Sequence, residues 1–200
     1  MIGSHKQPLQ QLSGWLLMIL ILVIGSARAQ VTPNGEVLRI EPLITEGQLA
    51  LDIDLTLTLN ATMRQTLERG VPLYFAVQAQ IRKPRWWWFD QEVKQETLVR
   101  RLSFNSITRQ WRVSTGDITI ASGTFEQAMR GVERIRAWPI VFSDRFEPDT
   151  RYDGRVRIKL DTNQLARPLQ MDPTKRNEWM LTSAWKAFDF SIRRIGRTSP

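Results

Sequence analysis

The sequence predicts an all-β chain, mainly antiparallel, folded as an immunoglobulin-like two-layer β-sandwich with two short helices. Apolar and polar residues alternate with a period of two over much of the chain, which marks strands with one buried face. Glycine and capping residues punctuate that alternation at short intervals, and only two segments carry helical spacing. Strands with so few helices bury their apolar faces against one another, as two sheets rather than a closed barrel.

Residues 1–29 stand apart from this pattern. His5 and Lys6 lie in a polar leader, Trp15 to Ile24 is an unbroken apolar run, and Ala27-Arg28-Ala29 puts small side chains where a signal peptidase reads. A spanning helix needs ~20 apolar residues, and this run is about half that. The expectation is a cleaved export signal, a mature chain beginning at Gln30 and a periplasmic location, with a short signal anchor as the alternative. One β-sandwich domain over 30–192 and a basic, frayed tail over 193–200 complete the organisation.

The elements follow in order. Val37 to Ile44 reads as a strand, Gly47 as a turn, and Leu49 to Leu59 as a strand with Leu49, Leu51, Ile53, Leu55, Leu57 and Leu59 on one face and Asp52, Asp54, Thr56 and Thr58 on the other. Asn60 or Thr62 caps a helix that stops at Gly70, a residue suited to the left-handed conformation. Leu73 to Arg82 repeats the alternation, with Gln78, Gln80 and Arg82 outward. Val93 to Phe104 and Gln110 to Ser114 pair around a turn near Asn105-Ser106, with Leu102, Phe104, Trp111 and Val113 facing the core. The pair Arg100-Arg101 breaks the rhythm and predicts a bulge. Asp117 to Ala121 follows as a strand, then a helix capped by Thr124 and Gln127 with Phe125, Ala128, Met129, Val132 and Ile135 on its apolar face. Trp138 to Phe142, Gly154 to Asp161 and Glu178 to Ser191 are the remaining strands.

Composition narrows the chemistry. There is no cysteine, which excludes disulfides and acyl attachment at the cleavage site. His5 is the single histidine and leaves with the leader, so a mature chain has neither residue type needed for Ser-His-Asp or Cys-His catalysis, zinc or ordinary haem ligation. No cofactor, metal site or catalytic residue is expected, and the chain reads as a non-enzyme. Removing Lys6 and Arg28 leaves 26 basic against 20 acidic residues, a formal +6. That balance suits anionic partners, but the basic residues are scattered along the sequence and export argues against nucleic acid.

The candidate contact patch is Arg82, Lys83 and Arg85 with Trp86, Trp87, Trp88 and Phe89. Consecutive aromatics cannot share one face of a strand, and Trp and Arg are enriched in binding hot spots. A hairpin with rings packed across its strands is the structural alternative, and sugar stacking or membrane-interface contact the other functional ones. Asp52 and Asp54 share a strand face at a spacing open to acid-base carboxylates, though alternation with leucines reads as a solvated face. Asp144, Glu147, Asp149 and Asp153 cluster among Arg145, Arg151 and Arg155, which favours ion pairing over calcium. Asn60-Ala61-Thr62 matches a glycosylation sequon at a helix start.

The leader, the run Trp86 to Asp90 after a long strand, the segment Arg101 to Val113, the stretch Leu160-Asp161 with Leu165, Pro168 and Leu169, and Trp179 to Trp185 together resemble the proteobacterial exported family catalogued as domain of unknown function 4390. The resemblance implies a Gram-negative envelope protein with no assigned activity and, through gene neighbourhood, a membrane sensor kinase as a partner. It transfers no functional residue. The expected function is that of a periplasmic binding or accessory protein contacting an envelope or inner-membrane protein. Binding of cell-wall glycan or anionic lipid, with peripheral membrane contact, is the alternative, and a carboxylate-dependent glycan hydrolase the second.

Overall fold

A computed structural model describes residues 34–45, 48–84, 91–142, 146–147, 149–165 and 177–191. The leader and the basic tail lie outside them. In chain order the described strands and α-helices are β1 (Asn34–Thr45), β2 (Gln48–Thr58), α1 (Ala61–Glu68), β3 (Leu73–Lys83), β4 (Gln91–Asn105), β5 (Gln110–Thr115), β6 (Ile118–Ser122), α2 (Phe125–Glu133), β7 (Arg134–Phe142), β8 (Arg151–Leu160) and β9 (Lys186–Ser191). The strands form two antiparallel sheets, a small one in the order β1-β2-β7 and a large one in the order β6-β5-β4-β3-β8-β9. The all-β, two-sheet class is the fold seen. Its three-plus-six division differs from the four-plus-three strand set of a constant-type immunoglobulin domain.

The strict alternation of β2 and β3 builds the core. Leu49, Leu51, Ile53, Leu55 and Leu57 from β2 and Leu73, Phe75, Val77, Ala79 and Ile81 from β3 are each at most 8% exposed and belong to one cluster spanning both sheets. Each large side chain so buried contributes ~1.5–3 kcal/mol, so a one-residue slip in either strand is strongly disfavoured. Gly35 lets β1 approach β8, because a Cβ there would stand 3.2 Å from side-chain carbons of Ile158, Leu181 and Leu57.

Both helices pack against the core, through Met63 and Leu67 of α1 and Ala128, Met129 and Val132 of α2. Asn60 caps α1 by accepting from the Met63 N–H at 2.8 Å, and Gly70 ends the segment at a φ of 86°. Thr124 caps α2 by accepting from the Gln127 N–H at 3.2 Å, and Ala128, Met129 and Val132 face the core. The helix stops one residue before Arg134, so Ile135 is a buried strand residue of β7 and not part of the helical face. Among the described residues no helix is long and apolar enough to cross a membrane.

Two further strand readings need correction. The pairing of β4 with β3 is regular at Arg100 and Arg101, opposite Phe75 and Tyr74, and the shift falls instead between Ile81 and Arg82. Arg100 therefore points to the inner side, where α2 gives its guanidinium a partner in the Gly131 carbonyl. The segment from Glu178 is not one strand, since β9 begins at Lys186 and residues 177–179 form a 3-10 turn. Residues 181–183 still follow β8: the Leu160 N–H donates to the Leu181 carbonyl, and the Ser183 N–H to that of Ile158. The ladder fails to extend because the Ser183 hydroxyl, rather than a backbone carbonyl, accepts from the Ile158 N–H at 3.0 Å.

Candidate functional site

Period-two geometry sorts the polar residues of the large sheet onto its outer face. The inner positions of β8, Tyr152, Val156, Ile158 and Leu160, are buried, which turns Arg155, Arg157 and Lys159 outward. Register then places Arg155 beside Gln80 and Arg157 beside Gln78 of β3, while Gln80 faces Gln95 of β4. The side chains use that proximity. Arg155 donates from Nε to the Gln80 Oε1 at 2.7 Å, Gln80 donates in turn to Gln95 at 3.1 Å, and Arg157 donates from Nε to Gln78 at 2.9 Å.

Trp185 completes the arrangement. Its indole lies 4.6 Å from the Arg155 guanidinium and 4.4 Å from that of Arg157, within cation-π range of both. Each arginine is thus held at its Nε edge by a glutamine and stacked by a ring. Among the described residues neither guanidinium has a carboxylate within ion-pair distance, and their Nη groups have no hydrogen-bond partner. The same outer face carries Arg82 and Lys159, with Arg101 and Arg112 further along, and none of these four is in an ion pair among the described residues. Carboxylates lie at one end of this face: register sets Arg82 opposite Asp153 of β8 and Glu92 of β4, and Arg151 lies 3.9 Å from Asp153 and 3.4 Å from Asp189 of β9.

The basic residues are scattered only in sequence. Folding gathers six of them, since β3 and β8, whose paired residues are 71 to 85 positions apart, become neighbours about 4.8 Å away. The β8 alternation carried a readable signal for Arg155, Arg157 and Lys159 as one face. Nothing local pointed to Trp185, or to Gln78 and Gln80 as its companions.

The sequence-derived patch is divided. Arg82 lies on the outer face in line with Gln78 and Gln80, whereas the ammonium of Lys83 is 2.5 Å from the Glu147 carboxylate. Arg85, Trp86, Trp87, Trp88 and Phe89 lie outside the described residues.

The other candidates serve structure. Arg136 of β7 is 2.5 Å from Asp54 and 3.9 Å from Asp52, and the Asp54 hydrogen bond raises the guanidinium above its ordinary pKa. Asp52 also accepts from the Ala137 N–H at 2.7 Å, where Ala137 adopts a φ of 48°. The two carboxylates hold the irregular turn of β7 against β2, where their register shifts between Leu51 and Ile53. In the acidic loop Glu147 is spent on Lys83 and its N–H is bonded by the Tyr152 hydroxyl oxygen at 2.8 Å. Asp144 and Arg145 lie outside the described residues, and among those described no three potential ligands come together to hold a metal ion.

A family model described as domain of unknown function (DUF4390) matches residues 33–189, and the chain belongs to that family. No curated protein and no solved structure matches it.

Proposed function

We propose that this member of the family is an exported binding module that holds an acidic surface of an envelope or inner-membrane protein against the outer face of its large sheet. The observation that carries the reading is the pair Arg155 and Arg157, fixed by Gln80, Gln78 and Trp185 with their guanidinium forks unmatched. A fork aligned beforehand loses little side-chain freedom on meeting a carboxylate, and arginine accepts that group in two parallel hydrogen bonds. Arg82 lies on this face, and in sequence it precedes the aromatic run Trp86 to Phe89, residue types enriched in binding hot spots. Export by residues 1–29 sets the compartment. A binding role rather than a catalytic one is supported by the absence of cysteine, by the loss of His5 with the leader, and by the engagement of Asp52 and Asp54 with Arg136 and Ala137.

The test combines location and contact. Amino-terminal sequencing of the chain recovered from the cell envelope should begin at Gln30. Crosslinking in intact cells should then capture a protein partner with the unaltered chain and lose it with Arg155→Glu/Arg157→Glu, while thermal unfolding shows that the variant is folded. Capture unchanged by the double substitution, or flotation with anionic vesicles in place of protein capture, would overturn the proposal. Because the face is solvated, capture should also weaken with salt as the Debye length falls from ~10 Å at 0.1 M to ~3 Å at 1 M.

A further inference from the structure

A second site lies on the opposite side of the same sheet, at the end that β1 and β2 do not cover. β6 is the edge strand there, and its register with β5 places Ile118 beside Thr115 and Ile120 beside Val113, so both isoleucines belong to the inner face. Yet Ile118 is 71% and Ile120 63% exposed, while Val113 is buried. Helix α2 stands over β5, and a Cβ on Gly131 would meet Val113 at 3.4 Å, so the helix rests on the sheet at that glycine. Beside this contact a groove of about 270 Å³ opens between the helix and β6. Val113, Ile118 and Ile120 line its apolar part, Arg100 and Thr115 one end, Ser122 and Gln127 the other.

Arg100 is the unusual member. It is half-buried, and that burial lowers its pKa below the ordinary arginine value. Its Nη1 donates to the Gly131 carbonyl, but Nε is enclosed without any acceptor, the one buried side-chain nitrogen or oxygen so left among the described residues. No carboxylate among the described residues pairs with it. A partly desolvated cation with no carboxylate beside it is costly unless an anion completes it.

We propose that the groove binds an aliphatic monocarboxylate, its acid group paired with Arg100 and its chain laid along Val113, Ile118 and Ile120. One guanidinium matches one carboxylate through two hydrogen bonds, a shape and charge that a larger anion exceeds. The apolar lining favours a hydrocarbon chain over a peptide, whose amides would enter without partners. The space equals about nine waters at ~30 Å³ each, which suits a chain of medium length. The site is independent of the Arg155 and Arg157 face.

The experiment follows isoleucine methyl resonances of the exported chain during titration with decanoate and, separately, decanol, both kept below micelle-forming concentration. Decanoate should shift Ile118 and Ile120 and bind at least tenfold more tightly than decanol. Arg100→Gln should abolish that preference. Because this variant removes the bond to Gly131 and can unfold the helix contact, Ile120→Glu is the second arm: it should keep the thermal transition and lose decanoate. Equal affinity for acid and alcohol, decanoate binding that survives Ile120→Glu, or shifts confined to isoleucines other than Ile118 and Ile120 would overturn the assignment.

Discussion

Replacing Gly154 by alanine tests how β9 is seated on β8. Gly154 lies opposite Ile81 on one side and Phe188 on the other, at an inward position. A Cβ there would come within 2.2 Å of Phe188 Cζ, 2.4 Å of Cε1 and 2.8 Å of Cε2, distances no packed structure holds. The backbone of β8 is tied on both edges, so the Phe188 ring must leave, and with it the stacking on Phe190 at 6.1 Å. A half-buried phenylalanine loses roughly 100 Å² of apolar contact in that event, about 2.5 kcal/mol at ~25 cal/mol per Å². Alanine recovers ~0.5–1 kcal/mol by restricting the unfolded chain. The net expectation is a loss of about 1.5–2 kcal/mol, read by urea denaturation, with a fall in Tm of roughly 3–8 °C. The double-mutant cycle makes the cause visible. In a Phe188→Ala background the same Gly154→Ala change should be neutral or slightly stabilising, because the ring it collides with is gone. An equal loss in both backgrounds would refute the argument.

Three further outcomes are expected. Asn60→Ala removes both the cap on α1 and the 2.8 Å bond from Nδ2 to the Glu178 carbonyl, and should cost about 2–3 kcal/mol in denaturant unfolding, with Asn60→Asp intermediate because it keeps only the cap. Ser183→Ala leaves the buried Ile158 N–H without its acceptor, for a loss of about 1–3 kcal/mol and faster hydrogen exchange at that amide. Arg109→Gly should stabilise by roughly 0.5 kcal/mol, since Arg109 holds a φ of 54° in the turn organised by Asn105, and the measurement is again the denaturation midpoint.

What was readable in the sequence was what is local. The faces of β2 and β3, the caps at Asn60 and Thr124 and the turn at Asn105 follow from neighbours within a few residues. Arg100-Arg101 shows where locality fails. Two adjacent arginines in one strand suggest that both must reach water, and hence a bulge; the strand stays regular because Gly131, 31 residues away, supplies an acceptor on the inner side. The segment before β9 shows a subtler failure. Trp179, Leu181 and Ser183 alternate inward and are all buried, so the face was readable, yet a serine hydroxyl replaces one backbone bond and leaves a single bridge, Lys159 to Thr182, where a ladder was expected. Period shows which way a side chain points and not which strand lies beside it.

The same limit explains why the basic face was invisible as a face. Its cations come from β3, β4, β5 and β8, and several of the acids interspersed along the chain fold elsewhere. Asp52 and Asp54 go to the outer side of the small sheet, where Arg136 meets them, and Glu147 goes to Lys83. These three acids find cations, whereas Arg155 and Arg157 receive glutamines, which hold a guanidinium in place without cancelling its charge. A surface needing only solubility has no use for arginines oriented twice over, by an amide and by an indole. On the proposed reading, the order imposed on those two side chains is what would distinguish a recognition surface from a merely charged one.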